Sequence, residues 1–210
     1  MQPSIDELKQ KFLQPLPGVS SHLKMSPARR VKEFPGSTDI LPLARESAVL
    51  ILLFPENGKL KTVFIKRSEY EGVHSGQVSF PGGKYEQSDK TFQDTALRET
   101  YEEIGVAQDK IEIIGQLSDF YIPPSNFLVK VFVGYSPNKP VFIKDAKEVQ
   151  SIVEVFVDEF YDPGKIVEKE FYSSLQQVSI KAPTYLMNGL EIWGATAMIV
   201  SELLDVLQLS

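Results

Sequence analysis

The sequence predicts one domain of the mixed α/β class (α+β). Its 210 residues suffice for one sizeable core and are few for two. Ser47–Phe54 is a continuous apolar run, which is typical of a strand buried on both faces. Thr91–Ile104 has the pattern of a helix, with Gly105 as its terminator, and strand-like segments lie on both sides of it. Strands and helices therefore mix within one chain that shows no internal repeat.

The N-terminal part differs in composition from the rest. Apolar residues recur at helical spacing in residues 5–14, which predicts a short amphipathic helix. The chain from Pro15 to Pro42 is rich in proline, serine and glycine, and is predicted to be an irregular lead-in. We therefore divide the chain into a helix with its lead-in, residues 1–40, and a domain of residues 41–210.

Two Asn-Gly pairs, at 57–58 and 188–189, predict tight turns between strands of this domain. Other strand-like segments follow from runs of β-branched and aromatic residues, and the last apolar segment suits a closing helix. The predicted strands are Ser47–Phe54, Leu60–Lys66, Gln77–Phe80, 111–117, 127–135, 148–157, 166–172, 183–187 and Leu190–Ile192, and the closing helix is Trp193–Leu207.

Composition excludes several classes of function. The net charge of −6 argues against a nucleic acid as the main partner, although bound dications would still admit a phosphorylated substrate. The absence of cysteine rules out disulfides, thiolate metal sites and a cysteine nucleophile. No apolar run reaches the ~20 residues of a membrane span, and the start lacks the pattern of a secretion signal. The expectation is a cytoplasmic protein without a membrane partner.

One helix carries the richest chemistry. Residues three and four apart share a helix face, so Glu99, Glu102 and Glu103 are expected to project together, with Arg98 beside them. Crowded carboxylates repel one another, and a hard dication with oxygen ligands would make the arrangement favourable. The alternative is a solvated acidic helix face.

A Pro-Gly-Gly turn, residues 81–83, lies shortly before this helix. Glycine lets the backbone approach a ligand closely, so Gly82 and Gly83 are candidates for contact with phosphate or metal. A plain tight turn is the alternative.

Together the turn and the helix resemble the Nudix box, in which a glycine and an acidic residue precede R-E-U-x-E-E-x-G-U, with U apolar. Gly83 matches the opening glycine, and the second half matches in order and spacing. Three positions depart from the pattern: the early acidic residue is Asp89, eight residues separate it from Arg98 instead of seven, and Thr100 replaces an apolar residue. The residues that match in the second half are Arg98, Glu99, Glu102, Glu103, Gly105 and Val106.

The resemblance implies a mixed β-sheet sandwiched between helices, and hydrolysis of a pyrophosphate link with Mg²⁺ or Mn²⁺ as cofactor. Glu99, Glu102 and Glu103 would bind the metal, with a backbone contribution from Gly83. Arg98 would orient these carboxylates. Glu99 is the candidate general base, and Glu148 is a candidate downstream acid whose alternative role is that of a solvated residue at a strand edge.

The segment before the box resembles the signature of coenzyme A diphosphatases, roughly K-R-S, a spacer, then H-x-G-Q-V-x-F-P-G-G. Lys66, Arg67, Ser68 and His74 are therefore candidates for substrate binding, with Gly82 and Gly83. Solvated charge is the alternative for the basic pair, and a structural role for His74. Asn126 and Val131 depart from the subfamily, which commonly has glycine and proline there, in a strand expected to face the substrate.

The function so predicted is cleavage of coenzyme A or acyl-coenzyme A to adenosine 3′,5′-bisphosphate and 4′-phosphopantetheine. One alternative keeps the chemistry and changes the substrate to ADP-ribose, NADH or another nucleoside diphosphate derivative. A second is a Nudix-fold binding module without catalysis, which would be expected to lose helix carboxylates that this chain keeps. The sequence leaves open whether the first 40 residues cover the site, mediate a homodimer or do neither.

Overall fold

A mixed β-sheet lies at the centre of the computed structural model, which describes residues 4–27, 44–68, 76–173 and 178–208. Within those residues the sheet has eight strands: β1 (Arg45–Glu56), β2 (Lys59–Arg67), β3 (Val78–Ser79), β4 (Gly82–Lys84), β5 (Glu112–Gln116), β6 (Phe120–Ile122), β7 (Phe127–Tyr135) and β8 (Val149–Phe156). β1 and β7 run parallel, and the other strand pairs of the sheet are antiparallel.

Strand β1 is the centre of this sheet because β2, β4 and β7 all pair with it. Its side chains alternate between two buried layers: Leu50 and Leu52 pack in one, Ile51 and Leu53 in the other. The predicted strand buried on both faces is therefore confirmed. At the end of β1 the Asn57-Gly58 turn takes positive φ angles of 51° and 73°, as a tight hairpin turn requires.

The segment that joins β3 to β4 fills the opening between β1 and β2. β3 pairs with the end of β2, and β4 pairs with the start of β1, where Val49 lies opposite Gly82. Gly82 has a φ of 153°, and a Cβ on it would overlap the carbonyl oxygen of Ala48. Only glycine fits this close to β1. The Pro-Gly-Gly segment is therefore part of the sheet.

A second, antiparallel sheet of three strands follows in the chain: β9 (Ile166–Ser173), β10 (Val178–Met187) and β11 (Leu190–Ile192). The predicted turn at Asn188-Gly189 joins β10 to β11, with φ angles of 48° and 80°. β10 begins at Val178, five residues before the predicted start at 183, because its first half pairs with β9 and is only partly buried.

Helices cover the central sheet on two sides. Within the described residues they are α1 (Ile5–Phe12), α2 (Val19–His22), α3 (Phe92–Ile104) and α4 (Gly194–Gln208). α3 packs through Ala96 and Ile104 on the layer that contains Leu50, whereas α4 packs on the opposite layer. The predicted mixed fold with a sheet between helices is confirmed. None of the described helices is both long and apolar enough to cross a lipid bilayer.

Helix α3 has well-defined ends. Thr91 caps its start in a reciprocal capping box with Asp94, and Gly105 ends it in the left-handed conformation at φ 74°. The predicted helix from Thr91 to Ile104 is therefore confirmed, with Thr91 as the cap.

The lead-in is more regular than its composition predicts. α2 and a short 3-10 turn, Leu23–Met25, pack on α4, and the side chains of His22 and Glu202 form a buried hydrogen bond at 2.8 Å. Irregular structure is thus the wrong prediction for residues 19–25, because contacts with a helix nearly 180 residues away stabilise this segment. The proposed boundary at 40/41 lies outside the described residues and stays a prediction.

Candidate active site

The Glu103 side chain is only 1% exposed and lies between helix α3 and Gly82 of β4. Its Oε2 accepts a hydrogen bond from the Gly82 N–H at 2.8 Å, and its Oε1 accepts one from Arg67 Nη1 at 3.1 Å. Burial raises the pKa of Glu103 to about 7, and these two donors offset only part of that effect. Such a carboxyl group takes up or releases a proton near neutral pH.

Glu99 lies one helical turn before Glu103 and contacts the backbone of Gly83. A Cβ on Gly83 would overlap the Glu99 carboxylate, so glycine is required for this close approach. Burial raises the pKa of Glu99, and the hydrogen bond from Arg98 opposes that shift. The half-buried Glu99 and the buried Glu103 repel each other, and a bound cation would relieve that repulsion.

Arg98 holds this arrangement together. It donates five hydrogen bonds, which use every N–H of its guanidinium group. Two go to the carboxylate of Asp89, at 2.9 and 3.0 Å, and one goes to the carbonyl of Lys84 at 3.1 Å. The other two go to Glu99 at 3.0 Å and Glu102 at 2.9 Å. Arg98 therefore fixes the helix carboxylates relative to the loop before the helix.

Asp89 binds Arg98 from the loop that precedes helix α3. Its side chain is buried and also accepts from Thr95 Oγ1 at 2.8 Å and from the Glu86 N–H at 3.0 Å. The Arg98 guanidinium holds the pKa of Asp89 well below its usual range. The shorter side chain and the additional residue before Arg98, both departures from the box, thus leave this ion pair intact.

Glu102 and Glu148 lie at the solvent side of the site. The Glu102 side chain is 54% exposed and is held by Arg98. Glu148 is exposed as well, yet its charge contributes to the raised pKa values of Glu99 and Glu103. Its carbonyl accepts from the Ser68 N–H at 2.9 Å, which joins the end of β2 to the start of β8.

The predicted metal ligands only partly converge. Within the described ranges, no three acidic or histidine side chains form a complete metal cluster. Glu99 lies against Gly83 and Glu103 against the adjacent Gly82, whereas the exposed Glu102 side chain is bonded to Arg98. The donors are all hard oxygens, the Glu103 carboxylate is buried and that of Glu99 half-buried, and Gly83 leaves the space that a side chain would fill. This donor set fits a dication such as Mg²⁺.

The predicted substrate residues have different surroundings. Lys66 is half-buried and pairs with Val78 of β3, and Ser68 follows the end of β2. Arg67 forms the ion pair with Glu103, a contact that sequence reasoning missed because the two residues are 36 positions apart. His74 lies outside the described residues.

Gly82 is buried, and its N–H is bonded to Glu103 rather than free for a phosphate. The Gly82 N–H thus contacts a carboxylate, and a substrate contact of Gly82 stays a prediction. The signal for the carboxylate contact was the position of this glycine in a Pro-Gly-Gly turn just before an acidic helix.

The two departures from the subfamily pattern have structural explanations. Asn126 adopts the left-handed conformation, φ 54°, which glycine also takes readily, and its side chain accepts from the Tyr121 hydroxyl at 3.0 Å. Val131 is fully buried in β7, and its carbonyl accepts from the Leu117 N–H. The Val131 side chain therefore belongs to the core, and the substrate-facing role of its strand stays a prediction.

Comparisons with known proteins identify the domain that carries these residues. The family model of the NUDIX domain matches residues 44–175, which include the turn and helix α3. The chain is 30% identical over 174 residues to Nudix hydrolase 3 of Caenorhabditis elegans, covering 76% of this chain and 72% of that protein. It is 28% identical over 193 residues to the mitochondrial coenzyme A diphosphatase NUDT8 of Homo sapiens, covering 91% and 75%.

Solved structures show the same fold at low identity. The NUDIX domain of Shewanella oneidensis NrtR, solved with ADP ribose, has a TM-score of 0.52 at 13% identity, covering 88% of this chain and all of that one. A MutT/nudix family protein from Enterococcus faecalis has a TM-score of 0.50 at 18% identity, covering 95% and 73%. The chain therefore belongs to the Nudix family of pyrophosphohydrolases, whose members generally use divalent metal ions.

Proposed function

We propose that the protein hydrolyses the pyrophosphate bond of coenzyme A or an acyl derivative, and so forms adenosine 3′,5′-bisphosphate and 4′-phosphopantetheine or its acyl form. The observation that carries the proposal is that residues 64–83 contribute Arg67 and Gly82 to the site, where both bond to Glu103. This segment matches the coenzyme A diphosphatase pattern and ends at Gly82 and Gly83, against which Glu99 and Glu103 are held. The similarity to the human coenzyme A diphosphatase, over 91% of this chain, supports the same substrate class.

Mg²⁺ or Mn²⁺ would be held by Glu99 and Glu103, with Glu102 and the Gly83 backbone as further donors. When bound, the ion polarises the phosphoryl oxygen and lowers the pKa of the attacking water. Arg98 and the Gly82 N–H hold the carboxylates in place.

The proton of the attacking water needs an acceptor, and Glu99 is our candidate. Its pKa is raised by burial, which makes it a better base than an exposed glutamate. Glu148 is the second candidate, since it is exposed at the solvent side of the same site. We assign Lys66, Arg67, Ser68 and His74 to the phosphates of the substrate, and Gly82 to the support of Glu103.

The test is hydrolysis of coenzyme A with Mg²⁺ or Mn²⁺, with products identified by mass spectrometry. ADP-ribose and NADH are run in parallel. We expect 4′-phosphopantetheine from coenzyme A and little turnover of the other two. Preference for ADP-ribose or NADH would support a pyrophosphate hydrolase but refute coenzyme A as its substrate. No turnover of any of the three compounds would favour a binding module without catalysis.

Metal affinity should depend on pH because a protonated carboxyl group does not bind a cation. Since the pKa of Glu103 is raised to about 7, its carboxylate form is lost as the pH falls through 7. We expect Mn²⁺ affinity, measured by calorimetry, to fall by up to about tenfold per pH unit below 7 and to level off above 8. Equal affinity at pH 6 and pH 8 would show that this carboxyl group is not a ligand.

A cytoplasmic location stays a prediction, which cell fractionation would check. Homodimer formation stays open too, and the molar mass in solution decides it.

A further inference from the structure

Arg67 forms an ion pair with Glu103, and the proposed reaction assigns no role to this pair. Its guanidinium Nη1 lies 3.1 Å from Glu103 Oε1, while the Arg67 side chain is 24% exposed and that of Glu103 only 1%. The pair thus joins a deeply buried carboxylate to a cation that still reaches solvent. A side chain in that position can leave without crossing the core.

The two donors to Glu103 differ in their freedom to move. The Gly82 N–H belongs to backbone that is wedged against β1, where a Cβ would lie 2.6 Å from the Cα of Val49. Arg67 donates through a long side chain at the end of β2. When another cation approaches Glu103, the arginine is therefore the partner that can yield.

We propose that Arg67 is an exchangeable counter-ion: without metal it neutralises the Glu103 oxygen that a dication takes, and metal binding releases its guanidinium to the phosphates of the substrate. This inference rests on the proposed metal-dependent function. Arg98 is not suited to such a role, because all its N–H groups are already bonded.

The backbone around Arg67 keeps the released side chain near the site. The Arg67 N–H donates to the carbonyl of Gln77 at 3.0 Å, and the next N–H, of Ser68, donates to Glu148 at 2.9 Å. The pairing of β2 with β8 shifts register between Lys66 and Arg67. The backbone of Arg67 is thus fixed while its side chain moves, and the guanidinium charge stays near the carboxylates.

The decisive measurement is Mn²⁺ binding without substrate, by calorimetry at several pH values for each variant, so that binding is compared where it no longer depends on pH. Arg67→Gln should bind Mn²⁺ roughly five- to tenfold more tightly than the wild type, because its competitor for Glu103 is gone. Lys84→Gln is the matched control, since it removes one positive charge on nearby β4 that is not bonded to Glu103, and should change the affinity less. Unchanged or weaker binding by Arg67→Gln would overturn the inference and assign Arg67 a purely supporting role.

Two further readouts separate this inference from the function on which it rests. Glu103→Gln should lose most of its affinity for Mn²⁺. If it does not, both the metal assignment and the counter-ion role of Arg67 are wrong. In the wild type, the Arg67 Nε–H signal in NMR spectra should shift during titration with Mg²⁺, whereas a static signal contradicts release even if the variant fails to fold. In the metal-loaded enzyme, Arg67→Gln should raise KM for coenzyme A more than it lowers kcat.

Discussion

Glu103→Gln is expected to lower kcat for pyrophosphate hydrolysis by about 10³-fold, because loss of a metal ligand removes several kcal/mol of transition-state stabilisation. Glutamine has nearly the shape of glutamate and can still accept the Gly82 N–H through its amide oxygen. The substitution also removes a charge whose burial is unfavourable, as the raised pKa of Glu103 indicates. The metal-free variant should therefore be at least as stable to heat as the wild type.

The control for this experiment is Glu102→Gln on the same helix. The Glu102 side chain is more than half exposed and contacts Arg98, so its loss should reduce kcat much less than loss of Glu103. Kinetics at saturating Mn²⁺ and thermal unfolding without metal are measured for both. Turnover by Glu103→Gln within a few-fold of the wild type would refute the metal assignment.

Glu202→Ala should lower the free energy of unfolding by about 3–5 kcal/mol, because it leaves a network of buried hydrogen-bonding groups without their acceptor. Glu202 is fully buried and accepts from His22 at 2.8 Å, from the Gly18 N–H at 3.2 Å, and from the Ser118 hydroxyl and N–H at 2.6 and 3.3 Å. Burial opposes ionisation, yet these donors hold the pKa of Glu202 below its ordinary value. The stabilisation is thus present above the pKa of the unfolded chain and is lost as the pH falls below it.

Lys24→Ala provides the comparison, since it removes an ion pair of the same two segments. The Lys24 side chain is 58% exposed and bonds to Asp205, so its loss should cost no more than about 1 kcal/mol. Denaturant unfolding at pH 7 measures both variants, with the m-value as a check on two-state behaviour. Equal losses for the two would mean that the buried pair contributes no more than a surface pair.

The central strands and helix α3 could be predicted because their signals are local. The apolar run of Ser47–Phe54, the positive φ at Asn57-Gly58 and the Thr91 and Gly105 ends of the helix each depend on neighbouring residues. The acidic face of α3 follows from helical periodicity alone.

Other parts depend on contacts that are distant in sequence. α2 has four residues and no pattern of its own, and it folds against α4 through the pair His22–Glu202. Strand β6, three residues long, is too short for a periodic signal. The pairing of Arg67 with Glu103 has no local signal either, although the link of Asp89 to Arg98 could have been inferred from the acidic position of the box.

The saturated guanidinium group of Arg98 determines the electric field that an arriving anion meets. Four carboxylates, from Asp89, Glu99, Glu102 and Glu103, are bonded to two guanidinium groups, so the network has an excess of negative charge when all four are ionised, and Glu148 adds a further negative charge nearby. A pyrophosphate approaching the metal-free protein is therefore repelled at a distance, and a dication reverses the sign of that field. We therefore expect a bound metal to raise the rate of encounter with substrate as well as to assist the chemical step, and to bind before the nucleotide.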